Sequence, residues 1–162
     1  TGTGLYYTYV TSDWISSAGQ VLQTVSTFKN DIYTHSTTTT PSDITGMSVA
    51  ITPRSTTNKV LITFSLAIGA SGANIRVYGD LKRGSTAIAQ PATGSVKGTW
   101  NTTIAATSSL NHVTLTYLDS PATVAATTYK LTITAASGTA YVNQDSFGAT
   151  AVSGITAQEI SA

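Results

Sequence analysis

From Lys59 to Gly69 the chain alternates without a break, with Val60, Ile62, Phe64, Leu66 and Ile68 on one parity and Thr63, Ser65, Ala67 and Gly69 on the other. A helix would scatter these side chains around its circumference, whereas a pleated strand sorts them onto two faces. One face is therefore core, and the other is small and polar. Only 9% of the residues are charged, against roughly 25% in ordinary soluble proteins, so threonine and serine hydroxyls must carry solubility. Threonine is β-branched and suits a half-buried pleated surface, and 13 glycines divide the chain into short lengths. The expected class is all-β with helices nearly absent. At 162 residues one core is the natural solution: a β-sandwich over 19–162 preceded by an N-terminal arm at 1–18.

Other segments repeat the period of two. Val21, Gln23, Val25 and Thr27 alternate with Leu22, Thr24, Ser26 and Phe28. Ile44 to Ile51 is a second strand, ended by Pro53, and Pro53-Arg-Ser-Thr-Thr-Asn58 is turn chemistry that predicts an antiparallel connection into the Lys59 strand. Ile75, Val77, Gly79 and Leu81 share a parity, and Lys82-Arg-Gly-Ser85 turns into Thr86-Ala-Ile-Ala89 as a hairpin. A strand around Trp100 falls between Gly94 and Ile104. Val113, Leu115 and Tyr117 line one face of the next strand, which Pro121 stops. Tyr129 to Ile133, Thr139 to Asn143 and Ser153 to Ile160 complete the set. Roughly eight strands with turns every 8–12 residues is the pattern of an antiparallel sandwich or jelly roll.

The first 18 residues carry Tyr6, Tyr7, Tyr9 and Trp14 without a clean period. They are too apolar for a free tail and are expected to pack on a neighbouring subunit or on the body of their own chain; an ordinary first strand is the alternative. Thr1 in place of a methionine reads as a processed product or as part of something longer.

Several functions are disfavoured. The eight lysines and arginines are scattered and the net charge is +1, so the clustered positive charge that binds nucleic acid is missing. No cysteine is present, which removes disulfides and thiolate metal sites. No apolar run reaches the roughly 20 residues of a membrane helix, and no signal-peptide pattern opens the chain. There is no Gly-x-Ser-x-Gly elbow, and His112 sits on the threonine face of its strand. Glu159 is the only glutamate, so the paired carboxyl groups of glycoside hydrolysis would have to come mostly from aspartates. No enzyme and no cofactor is expected. His35, beside Ser36-Thr-Thr-Thr-Thr40, reads as a solvated loop histidine and not as a metal ligand. Asn101-Thr-Thr103 is a formal glycosylation acceptor that reads as a polar loop, and Asp119-Ser-Pro121 reads as an aspartate-started turn in which Asp119 accepts backbone N–H bonds.

Four phrases, taken in order, resemble a known module: Gly19-Gln-Val-Leu-Gln23; Ile51-Thr-Pro-Arg-Ser-Thr-Thr-Asn-Lys-Val-Leu-Ile62; Leu81-Lys-Arg-Gly-Ser-Thr-Ala-Ile88; and the block from Tyr117-Leu-Asp-Ser-Pro121 through Ser137-Gly-Thr-Ala-Tyr-Val-Asn143 to Ile155-Thr-Ala-Gln-Glu-Ile160. The order is similar to C-terminal domains of tail fibres and other structural proteins of marine and cyanobacterial phages. The resemblance covers 19–162 and implies a jelly-roll module that trimerises about a threefold axis on a virion, with no enzymatic activity. Ala157-Gln158, where that family often has an apolar pair, and the aromatic arm both depart from it.

Trp100 and Tyr78 are the aromatic candidates for contact with a receptor or partner, since aromatic faces stack on sugars and anchor interfaces; core packing is the competing role for both. Three functions fit these readings: a trimeric fibre module that meets a host surface glycan or protein and gains strength from valency, a capsid decoration or cement protein in contact with other virion proteins, and, more distantly, a surface filament joined through its N-terminal strand. The resemblance favours the fibre, and the short length favours the shell.

Overall fold

A computed structural model describes residues 18–36, 40–94 and 98–162. Tyr6, Tyr7, Tyr9 and Trp14 lie outside the described residues. Among the described residues there are twelve strands and no helix: β1 (Val21–Lys29), β2 (Tyr33–Ser36), β3 (Ser42–Ile51), β4 (Lys59–Ala70), β5 (Ile75–Gly79), β6 (Leu81–Arg83), β7 (Thr86–Ile88), β8 (Trp100–Ile104), β9 (Asn111–Asp119), β10 (Thr127–Ala135), β11 (Thr139–Val142) and β12 (Ser153–Ile160). The count exceeds the expected eight in part because β2 has too few residues to show a period and because the run from Ile75 to Leu81 divides into β5 and β6.

The strands form two antiparallel sheets. The first has the order β1-β12-β4-β11-β2, with β9 also on β4; the second has β7-β6-β10-β5-β8, with β3 also on β10. Each sheet is organised by one long strand. Val60 to Ser65 of β4 pair with both β12 and β9, so those two strands occupy opposite edges of β4. In the same way Tyr129 and Lys130 of β10 pair with both β3 and β6. The fold is an antiparallel, jelly-roll-like β-sandwich.

The alternation in β4 sorts as expected. Val60, Ile62, Phe64, Leu66 and Ile68 are all buried and meet Met47, Val49 and Ile51 of β3 and Tyr129, Leu131 and Ile133 of β10 in a single core. At roughly 25 cal/mol per Å² of apolar surface, this shared layer is the dominant stabilising term. The far parity of β4 is small for two reasons. Thr63 and Ser65 face outward, but Ala67 and Gly69 lie beneath the connection from β11 to β12, where a Cβ on Gly69 would collide with the Gln144 carbonyl oxygen.

One connection differs from expectation. The turn at Pro53–Asn58 does not close a hairpin, because β3 pairs with β10 while β4 pairs with β9, β11 and β12. It crosses from one sheet to the other. The β6–β7 hairpin forms in register, Leu81 opposite Ile88 and Arg83 opposite Thr86, and Gly84 takes the left-handed φ of 59° in its turn.

Candidate functional site

The two aromatic candidates fall on neighbouring strands and face opposite ways. Tyr78 pairs with Asn101, and Gly79 with Trp100, in the β5–β8 ladder. Side chains on consecutive strand positions point to opposite faces, so the register that turns Tyr78 outward turns Trp100 in. Trp100 is 3% exposed and belongs to the core; it offers no face for stacking on a ligand. Its indole N–H is buried without a hydrogen-bond partner.

Tyr78 is half-buried and lines a groove of about 240 Å³ with Arg76, Gly98, Asn101 and Thr103. The register explains the cluster, since Arg76 faces Thr103 and Tyr78 faces Asn101 across the ladder. A planar ring, a guanidinium, an amide and a hydroxyl thus share one polar recess. Asn101-Thr-Thr103 is part of β8 and not a loop.

A second concavity lies on the outer face of the β1-β12-β4-β9 surface. Phe28, 76% exposed, lies with its ring over Gly154, and with Val152, Ser65, His112 and Thr114 it walls a cleft of about 450 Å³. His112 is exposed on the same face as Thr114 and Thr116, opposite Ala67. Sequence reading passed over this cleft because Phe28, in β1, and Val152, just before β12, are far apart in the chain. The one local signal was Phe28 itself, a large apolar residue that follows the polar Thr24 and Ser26 on one parity.

His35 corrects its expected place: it belongs to β2, opposite Ala140, and is buried. Burial disfavours the imidazolium and lowers its pKa. The described residues contain no group of three or more histidine, aspartate or glutamate side chains that could hold a metal ion.

The described carboxylates are engaged in bonds that organise the fold. Arg83 donates to both oxygens of Asp119, at 3.0 and 2.9 Å, and Tyr129 donates its hydroxyl hydrogen to the same group at 2.6 Å. Asp119 thus accepts side-chain donors where backbone N–H donors were expected. Burial, then the Asp119 hydrogen bond, push the Tyr129 phenol well above its ordinary pKa. Asp145 accepts from the backbone N–H groups of Phe147 and Ala149 and shapes the loop beside the cleft. Lys29 and Lys130 pair with Asp31 and Asp43, and Asp80 accepts from Gln90.

No protein-family profile and no curated protein sequence matches the chain. Solved structures do. A chain from the structure of the infectious bursal disease virus Gx strain is similar over 85% of this chain and 31% of its own length, at 14% identity and a TM-score of 0.50. The VP2 chain of the infectious bursal disease virus subviral particle is similar over 88% of this chain and 34% of its own, at 12% identity and a TM-score of 0.49. The likeness is one of fold. This chain spans about a third of the length of those viral chains.

Proposed function

We propose that the chain is a virion structural protein, a trimeric fibre module whose Tyr78 groove attaches to a glycan of the host surface. The jelly-roll-like sandwich, similar in fold to part of a viral capsid chain, supports the virion role, and the phage-fibre resemblance supports the threefold assembly. The observation that carries attachment is the groove itself: Tyr78 beside Arg76, Asn101 and Thr103. An aromatic face covers the apolar face of a sugar ring, while the amide, hydroxyl and guanidinium satisfy its hydroxyls. Arg76 favours sugars that bear a carboxylate, because its planar fork matches that group.

Binding of the intact protein to an array of neutral and acidic glycans tests this reading. Wild type is expected to bind a subset, and Tyr78→Ala to lose about tenfold or more of that affinity, roughly the 1.4 kcal/mol of one lost contact, with an unchanged thermal midpoint. Absence of binding by the wild type at any density would remove the attachment function. Light scattering is expected to give three times 16.7 kDa; a stable monomer speaks against the fibre assembly.

A second reading, decoration of a viral shell, is favoured by the fold likeness being to a capsid chain. Gold-labelled antibody on intact particles separates the two. Label at tail or fibre tips supports attachment, and label over the head supports decoration.

A further inference from the structure

The two outer faces of the sandwich differ in charge. Asp43 of β3, Arg76 of β5, Lys82 of β6 and Lys130 of β10 point outward from the second sheet. On the first sheet, Lys59 is the one lysine, arginine or carboxylate among the outward positions of β1, β12, β4 and β9. Exposed apolar side chains follow the opposite pattern. Val21, Phe28 and Leu118 belong to strands of the first sheet and Val152 lies just before β12; Ile32, Val124 and Phe147, the other large apolar side chains exposed among the described residues, lie in loops. No strand of the second sheet carries one. An uncharged face with clustered apolar side chains marks an interaction surface.

We propose that a second copy of this chain covers this face, so that the outer face of the first sheet is the contact between subunits; the threefold form of that contact rests on the trimeric reading of the fibre module. Self-complementarity selects a copy over a different partner. Ser26, Thr156, Thr63 and Thr116 lie in one row across the four strands, with the Thr63 and Thr116 oxygens 3.3 Å apart. A hydroxyl both donates and accepts, so such a row matches another row of its own kind. A charged face, by contrast, would set like charges together when brought against its own copy. The apolar groups are also divided between the two margins. Phe28, beside the cleft of about 450 Å³, stands at the β1 margin, and Leu118, 45% exposed, pairs with Leu61 at the β9 margin. In a closed ring each copy presents one margin and receives the other, so the Phe28 margin of one copy meets the Leu118 margin of the next.

The extent of the face is sufficient. From Lys59 to Ala67, which pairs with His112, β4 runs about 26 Å, and four strands span about 19 Å, a projection of about 500 Å². The relief of Phe28 and the other protruding side chains raises the accessible area toward the roughly 800 Å² per partner of a stable interface. Burial of this face leaves the Tyr78 groove, on the second sheet, open to a ligand.

Sedimentation equilibrium of the full chain, from low micromolar to submillimolar concentration, tests the assignment. Wild type is expected at three times 16.7 kDa. Phe28→Asp and Thr63→Lys each place a charge in the contact and are expected to weaken assembly by about thirtyfold or more, whereas Val124→Asp, in a loop outside this face, keeps the wild-type mass. Phe28 and Thr63 are both exposed, so a native far-UV circular dichroism spectrum is expected of each variant, and either one that folds supplies the readout. Wild-type assembly that survives the substitutions overturns the assignment of this face and leaves the trimeric reading standing; equal loss in Val124→Asp overturns it as well. A wild-type dimer that the face substitutions dissociate supports the face and overturns the threefold form. A wild type that stays monomeric throughout overturns both.

Discussion

Asn58 donates its side-chain N–H to Glu159 Oε1 at 2.6 Å, and so ties the sheet-crossing turn to the last strand. The Arg54 backbone N–H reaches the same oxygen at 2.6 Å, and Gln23 donates to Oε2 at 2.6 Å. The chain's only glutamate is fully buried among these donors. Burial alone would raise its pKa; the bonds from Asn58, Gln23 and the Arg54 N–H outweigh that and hold it below the ordinary value. Asn58 Oδ1 also accepts from the Ala162 N–H, so one turn gathers β1, β12 and the residues after it.

Acid should therefore loosen this end of the sandwich. A pKa depressed in the folded state stabilises fully above the unfolded value of about 4.5, and that contribution is lost as pH falls through the folded value. Glu159→Gln is expected to cost about 1–3 kcal/mol at pH 7 and to flatten the acid limb of stability. Urea unfolding between pH 3 and 7 measures both effects.

Around Asp119 the two partners should differ in cost. Tyr129→Phe removes one hydrogen bond and keeps the packing, about 1 kcal/mol; Asp119→Ala strands the phenol and frees Arg83, about 1–3 kcal/mol. Thermal unfolding of the two single variants and the double variant tests the order. Additive losses would show that the shared carboxylate does not couple them.

Asn143 holds the connection between β11 and β12. Its side chain donates to the Lys29 and Asp31 carbonyls at 2.8 and 3.0 Å and accepts from Ser153 Oγ at 2.6 Å, with its own φ at 67°. Asn143→Gly keeps the left-handed backbone accessible but loses the bonds, whereas Asn143→Ala loses both. Both variants should destabilise by at least about 2 kcal/mol, alanine more, as read from denaturant midpoints.

Gly79 permits the closest approach in the second sheet. A Cβ there would collide with the Thr132 carbonyl oxygen and crowd the Trp100 ring. Backbone cannot yield as a side-chain tip can, so Gly79→Ala should cost about 3 kcal/mol or more. Circular dichroism melting of the variant against Gly84→Ala, where φ is left-handed but space is open, separates collision from backbone strain.

Legibility in the sequence followed the length of each alternating run. Strands β1, β3, β4, β10 and β12 were readable because each carries four or more positions of one parity, and the β6–β7 hairpin because Arg83-Gly-Ser85 is strong turn chemistry. Strand β2, with four residues, showed no period, and the histidine within it read as a loop residue. Of the two aromatic candidates, Tyr78 lies on a groove and Trp100 lies in the core. The deciding fact, that they sit one pair apart in the same ladder, depends on the register of β5 against β8.

The sequence by itself determined the fold class, the inward face of β4 and the scarcity of charge, since each follows from side chains a few positions apart. Tertiary structure alone decided which strands share a sheet, that Pro53–Asn58 joins the two sheets, and that Phe28 and Val152 wall one cleft. Those outcomes rest on pairings between residues far apart in the chain, from Val60 with Asp119 to Phe28 with Gly154. Local alternation states which way a side chain points; only packing states what it meets.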